Sequence, residues 1–161
     1  MILRQAAFRA LPALVIFSAV ACGHGENPPW DASEVGEISP FGAGEVTGTV
    51  SFSQRPTGVR VKVTLENCPD GSHPVHIHQG TSCADAAGQG GHWGPGGVRG
   101  EGIPNVVCAD GTGSSTFLND RTSADQLWTL DGNADTDPLG HAFVVHAEGG
   151  ERIGCGVIEA Y

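Results

Sequence analysis

Hydrophobic and polar residues alternate with a period of two over much of this chain. Val46, Gly48, Val50 and Phe52 interleave with Thr47, Thr49, Ser51 and Ser53. After a turn at residues 54–58 the alternation resumes as Val59, Val61, Val63 and Leu65. Successive side chains of an extended strand leave opposite faces, so the pattern predicts a hairpin with one buried face. Further strand-like runs lie at 74–78, 103–108, 114–118, 126–130, 141–146 and 153–160. Between them stand Asp110-Gly111, Asp131-Gly132-Asn133 and Gly149-Gly150, the residue types that tight turns require. No segment sustains a helical period over three turns. About eight short strands and no helix predict an all-β fold, a Greek-key β-barrel or sandwich of antiparallel strands.

One stretch departs from this pattern. Residues 79–102 hold nine glycines with Cys83, His92 and Trp93 among them, and carry no strand signal. Long loops inside small domains are usually functional or disordered, and a disulfide and a metal are two ways to order one.

The first residues read differently again. Arg4 and Arg9 precede the apolar run Leu11-Pro12-Ala13-Leu14-Val15-Ile16-Phe17, and small residues lead to Cys22. A basic start, a short apolar core and small residues before a cut describe a signal peptide over 1–21. The run is too short for a membrane span. Ala19 and Ala21 suit ordinary signal peptidase, while small residues before Cys22 resemble a bacterial lipoprotein box. Cysteine parity favours the second reading. Giving Cys22 to a lipid leaves Cys68, Cys83, Cys108 and Cys155, an even set in an exported chain; a soluble periplasmic protein with an unpaired Cys22 is the alternative. Residues 22–43 then form a lipidated cysteine and flexible tether, with His24 a solvated linker residue. The far end of the tether, near Val35 to Ile38, could add a short edge strand. Residues 44–161 form the barrel domain.

The chain has 161 residues and a formal charge of −10, with 8 Lys and Arg against 18 Asp and Glu. Its length fits one domain. With no basic cluster to neutralise phosphates, nucleic acid is excluded as a partner. Loss of the leader removes two positive charges and makes the remainder more acidic still.

Candidate chemistry rests on histidine. His76 and His78 flank Ile77 in a predicted strand, so both rings leave one face about 7 Å apart. His92 sits in the glycine-rich loop, and His146 ends the apolar run Ala142-Phe143-Val144-Val145. Four imidazoles with little sulfur or carboxylate favour copper among the metals that imidazole suits. Taken singly, a His-x-His pair in a strand is equally compatible with a satisfied or surface histidine.

Four motifs together carry a resemblance. His73-Pro74-Val75-His76-Ile77-His78, Gly91-His92-Trp93-Gly94-Pro95, Gly140-His141-Ala142-Phe143-Val144-Val145-His146-Ala147 and Arg152-Ile153-Gly154-Cys155-Gly156-Val157-Ile158 resemble the copper/zinc superoxide dismutase family in order and rough spacing. The wording of the third motif resembles the bacterial periplasmic branch. The resemblance implies a Greek-key barrel that binds copper through His76, His78, His92 and His146. It implies a Cys83–Cys155 disulfide pinning the loop to the last strand, and Arg152 lining the channel to the metal. It makes His73 a structural residue beside the site and puts His141 in the strand leading to His146. Cys68 and Cys108 remain, and a second bridge between them is expected, although sequence alone leaves three pairings of the four cysteines open. The implied activity is disproportionation of superoxide to oxygen and hydrogen peroxide. The alternative is a non-enzymatic copper store or carrier on the same scaffold. The expected location is exported, as a periplasmic or outer-membrane lipoprotein of a bacterium, held to the membrane through Cys22.

Two departures from the family pattern change the expectation. Residues 93–110 contain no histidine, and Glu101 and Asp110 are the acids there, so a family zinc site lacks most of its ligands and zinc is unlikely as a cofactor. Glu101 is then expected to orient His92 by a hydrogen bond, a solvated loop carboxylate being the other reading. The second departure follows His146, where five residues precede Arg152 in place of the family's long charged loop.

Overall fold

A computed structural model describes residues 33–94, 103–120 and 127–161. The expected leader, the cysteine at position 22 and Glu101 lie outside them. Among the described residues, nine antiparallel strands run in the order β4-β6-β7-β3-β2-β1-β9-β8-β5. They are β1 (Ser33–Pro40), β2 (Thr47–Arg55), β3 (Gly58–Glu66), β4 (Gly71–His73), β5 (Val75–His78), β6 (Val106–Ala109), β7 (Thr112–Asp120), β8 (Ala142–His146) and β9 (Arg152–Ala160). The two ends of this order, β4 and β5, are consecutive in the chain and separated by Pro74 alone. Proline has no N–H to give a ladder, so one extended run divides there and pairs with β6 on one side and β8 on the other. The sheet thereby curls into a nearly closed barrel.

The alternation read from the sequence becomes the barrel's inside and outside. Val50, Phe52, Val61, Val63 and Leu65 are buried, and their polar neighbours face out. β2 and β3 pair from Thr47↔Glu66 to Arg55↔Gly58, with Pro56-Thr57 as the turn. Asp110 and Gly111 both adopt positive φ between Ala109 and Thr112, the two-residue hairpin turn that matches strand twist.

Three expectations need correction. Ser33–Pro40 is a full strand between β2 and β9, so the barrel begins well before residue 44 and this strand is not an edge. Its Gly36 lets it lie close, since a Cβ there would stand 3.0 Å from Val50 and 3.3 Å from the Val157 carbonyl. Residues 127–130 are not a strand. Trp128 and Leu130 are buried like strand residues, but their backbone N–H groups donate to the side chains of Asn119 (2.7 Å) and Gln54 (3.1 Å). Side-chain oxygens have taken the place of a partner strand. One turn of helix, α1 (Ala86–Gln89), forms inside the glycine-rich loop, capped by Asp85.

Both expected disulfides are present, Cys68–Cys108 and Cys83–Cys155. The second joins the glycine-rich loop to β9.

Candidate metal centre

β5 and β8 pair with His76 opposite Val144 and His78 opposite Ala142. Val75, Ile77, Phe143 and Val145 point into the main core, whereas Ala142 and Val144 pack with Cys155 against Phe41 and Cys83. Period-two geometry therefore puts His76, His78 and His146 on the outer face of the barrel wall, beneath the glycine-rich loop. The loop supplies His92. It is stitched down by a His78↔His92 bridge, by Trp93 N–H to Ile77 O at 2.8 Å, and by Gly80 N–H to Gln89 O at 2.8 Å. A Cβ on Gly80 would lie 1.8 Å from the Gly88 carbonyl oxygen, so this approach of two backbones needs glycine.

The four rings converge. One ligand atom from each of His76, His78, His92 and His146 lies within 4.8 Å of the others. His78 Nδ1 donates to Gly90 O and His146 Nδ1 to Gly150 O, each at 3.0 Å. With Nδ1 carrying the proton, the Nε2 of each neutral ring is a bare lone pair. Yet these two Nε2 atoms face each other at 3.3 Å. Two acceptors so placed repel unless a cation sits between them. His76 Nδ1 is likewise buried without a hydrogen-bond partner. Burial, reinforced by the neighbouring rings, holds His76 down to about pKa 4. Burial and the Arg152 charge hold His78 down to about 4 against the opposing pull of the Gly90 carbonyl. His146 is lowered too, first by burial. His76, His78 and His146 are therefore neutral at neutral pH, as metal ligation requires. This donor set fits a transition-metal ion of the copper type.

Arg152 lies beside the set. Its Nη1 donates to Ala86 O (2.7 Å) and Gln89 Oε1 (2.8 Å), and its Nη2 to Gly90 O (2.8 Å). It lines, with His78, His92 and His146, an open cleft of about 550 Å³. The β8–β9 register slips between Val145 and His146, which brings Arg152 opposite His146.

A copper/zinc superoxide dismutase family model matches residues 46–158. The chain belongs to the copper/zinc superoxide dismutase family. It is 32% identical over 153 residues to the copper–zinc superoxide dismutase of Brucella abortus, covering 76% of this chain and 84% of that one. It is 30% identical over 152 residues to that of Deinococcus radiodurans, covering 73% and 79%. Among solved structures, a point mutant of Candida albicans superoxide dismutase 5 superposes with a TM-score of 0.61 at 20% identity, over 81% of this chain and 92% of that one. That likeness is one of fold.

Within this superoxide dismutase barrel the other predicted residues fall as follows. His73 is buried away from the four-ring set, with Nδ1 3.0 Å from His146 O and Nε2 2.7 Å from Pro69 O. It braces the backbone of His146. His141 precedes β8 and stacks on Trp93 at 4.4 Å between ring centroids. Asp110 sits in the β6–β7 turn, exposed to solvent. Among the described residues the four histidines are the group close enough to share an ion. The orienting carbonyls of Gly90 and Gly150 escaped the sequence reading because backbone acceptors leave no mark on residue type, and Gln89 escaped it because a lone glutamine in a glycine-rich loop belongs to no motif.

Proposed function

We propose that this protein is an exported superoxide dismutase that uses copper alone, held by His76, His78, His92 and His146. The observation that carries the reading is the pair of Nε2 lone pairs of His78 and His146, 3.3 Å apart and locked by carbonyls behind them, in a cleft that also holds a guanidinium. When bound, copper supplies a one-electron couple, by which one superoxide is oxidised to oxygen and the next is reduced, with two protons, to hydrogen peroxide. The chain's own residues do the rest. Gly90 and Gly150 keep two imidazoles in one tautomer, so ligands stay aimed without reorganising. Arg152 attracts and docks the anion. Because the whole molecule is strongly acidic, that attraction has to act within the roughly 8–10 Å over which salt leaves it unscreened. A copper store needs no cation beside its metal, which favours turnover over storage.

Two disulfides and the leader-like first residues support export to an oxidising compartment. Cys22 then carries a lipid, and residues after it tether the barrel to a bacterial membrane. Between His92 and the β6–β7 turn, Glu101 is assigned the role of orienting His92. The deciding experiment is superoxide turnover by the purified, copper-loaded protein. A rate no greater than that of the apoprotein or of free buffer would reject the dismutase reading.

A further inference from the structure

Gln89 carries a cost that its immediate packing does not explain. Its side chain is fully buried, at 0% exposure, and its Nε2 has no hydrogen-bond partner. The amide orientation is forced, since a guanidinium has donors and no acceptor, so Oε1 must face Arg152 and the NH₂ must point away. A buried amide N–H without a partner is destabilising, and a methionine of similar shape would avoid the penalty. Such a group is retained where its other end performs a task.

That task is visible at Arg152. The carbonyls of Ala86 and Gly90 already take one proton from each terminal nitrogen. Gln89 Oε1 takes the second proton of Nη1, a third acceptor that helps hold the guanidinium plane at the edge of the cleft Arg152 lines. A carboxylate here would hold the same geometry but cancel the charge. A neutral amide holds the cation and leaves its field intact.

We propose that Gln89 is the positioning residue for Arg152, setting the guanidinium for anion docking at the expense of its own unpaired amide N–H. This rests on the reading of Arg152 as the anion's docking cation. Two variants test it, Gln89→Met and Gln89→Glu. Three quantities are read: melting temperature of the apoprotein, copper per chain, and the dissociation constant of azide from the copper-loaded protein at low salt. Gln89→Met loses both an unpaired amide and the acceptor of one Arg152 proton, so it is expected to melt within about 2–4 °C of wild type, to bind copper fully, and to hold azide roughly three- to tenfold more weakly. Gln89→Glu is expected to fold and bind copper, with azide weakened at least as much and its salt dependence flattened. Wild-type azide affinity in Gln89→Met overturns the proposal. So does loss of copper from that variant, which would assign Gln89 to packing of the loop that carries His92. Failure of the wild-type copper protein to turn over superoxide would reject the proposed function instead, while the azide comparison still decides the role of Gln89.

Discussion

Arg152 stands opposite His146 across the β8–β9 ladder, although the pairing of Val144 with Cys155 and Val145 with Gly154 leads to Ile153 at that place. One extra residue in β9 makes the difference. Ile153 turns inward and packs against the core, and Arg152 emerges on the outer face among the histidines. Bulges re-aim side chains in this way beside functional sites. Without it, the period of two would send a guanidinium toward the barrel interior.

The placement makes a first prediction. Arg152→Ala should keep full copper binding, because Arg152 donates to backbone and Gln89 oxygens and touches no ligand nitrogen. Superoxide turnover should fall about tenfold or more through loss of anion attraction. Raising salt should depress the wild-type rate steeply and the variant's little. Equal rates at low salt would remove Arg152 from the mechanism.

What could be read from the chain, and what could not, divides by the range of the interaction. The β2–β3 hairpin announces itself through strict alternation and a short turn. The four histidines stand in motifs whose order survives translation into space, and the structure brings their rings together. The bulge at Ile153 left no such trace, because a strand's parity is set by its partner and not by its own residues. Trp128 misled for a related reason. Its burial looks like that of a strand residue, yet its N–H is satisfied by the distant Asn119 side chain. β1 showed in the sequence only as a short edge strand near Val35 to Ile38, because the composition around it is rich in glycine and proline, and its place between β2 and β9 depends on contacts across almost the whole chain.

The two disulfides should separate stability from metal binding. They close spans of 72 and 40 residues, and loop-closure entropy changes slowly with length. Removing either by a double Cys→Ser change should cost about 4 kcal/mol in the chain-entropy model. Copper affinity should drop in Cys83→Ser/Cys155→Ser, which frees the loop whose Gly90 carbonyl orients His78. It should be nearly unchanged in Cys68→Ser/Cys108→Ser, which removes the tie between the end of β3 and β6. Denaturant titration and copper competition measure the two effects, and equal losses of copper affinity would break the link between loop and ligand.

Glu34 on β1 makes stability depend on pH. Its carboxyl is buried against that of Asp137, whose oxygens accept from Gly132 N–H (2.6 Å) and Leu139 N–H (2.9 Å). Burial first, then the hydrogen bond to Asp137 and its charge, raise Glu34 from 4.5 to about 8. The folded state thus holds a proton that the unfolded chain releases above pH 4.5. The contribution is fully present below that pH and is lost as pH rises toward 8, with a slope approaching about 1.4 kcal/mol per pH unit. Glu34→Gln should abolish this loss, so its advantage in stability over wild type should widen from pH 5 to 8 and then level off (a window of about three units). Parallel stability curves for the two proteins would show that Glu34 titrates normally.

Metal content is the sharpest test of how this chain uses its family's barrel. A structural zinc ion takes four protein ligands at tetrahedral geometry. Residues 93–110 offer no imidazole, and their one thiol, Cys108, is bonded to Cys68. His92 could lend a second ring nitrogen, and Glu101 or Asp110 an oxygen, but Asp110 stands exposed in the β6–β7 turn, and the sum falls short of four. His141, the nearest spare imidazole in sequence to His146, is engaged with Trp93 instead. Protein matured with both metals present should therefore contain about one copper per chain and zinc near background (a single four-nitrogen site of the kind imidazole builds for copper). His78→Ala should abolish copper retention, since it removes one of the two facing Nε2 donors, and should create no affinity for zinc. Elemental analysis reads both. A full equivalent of zinc held alongside copper would overturn the copper-only assignment and send the search for its ligands to Glu101 and its neighbours.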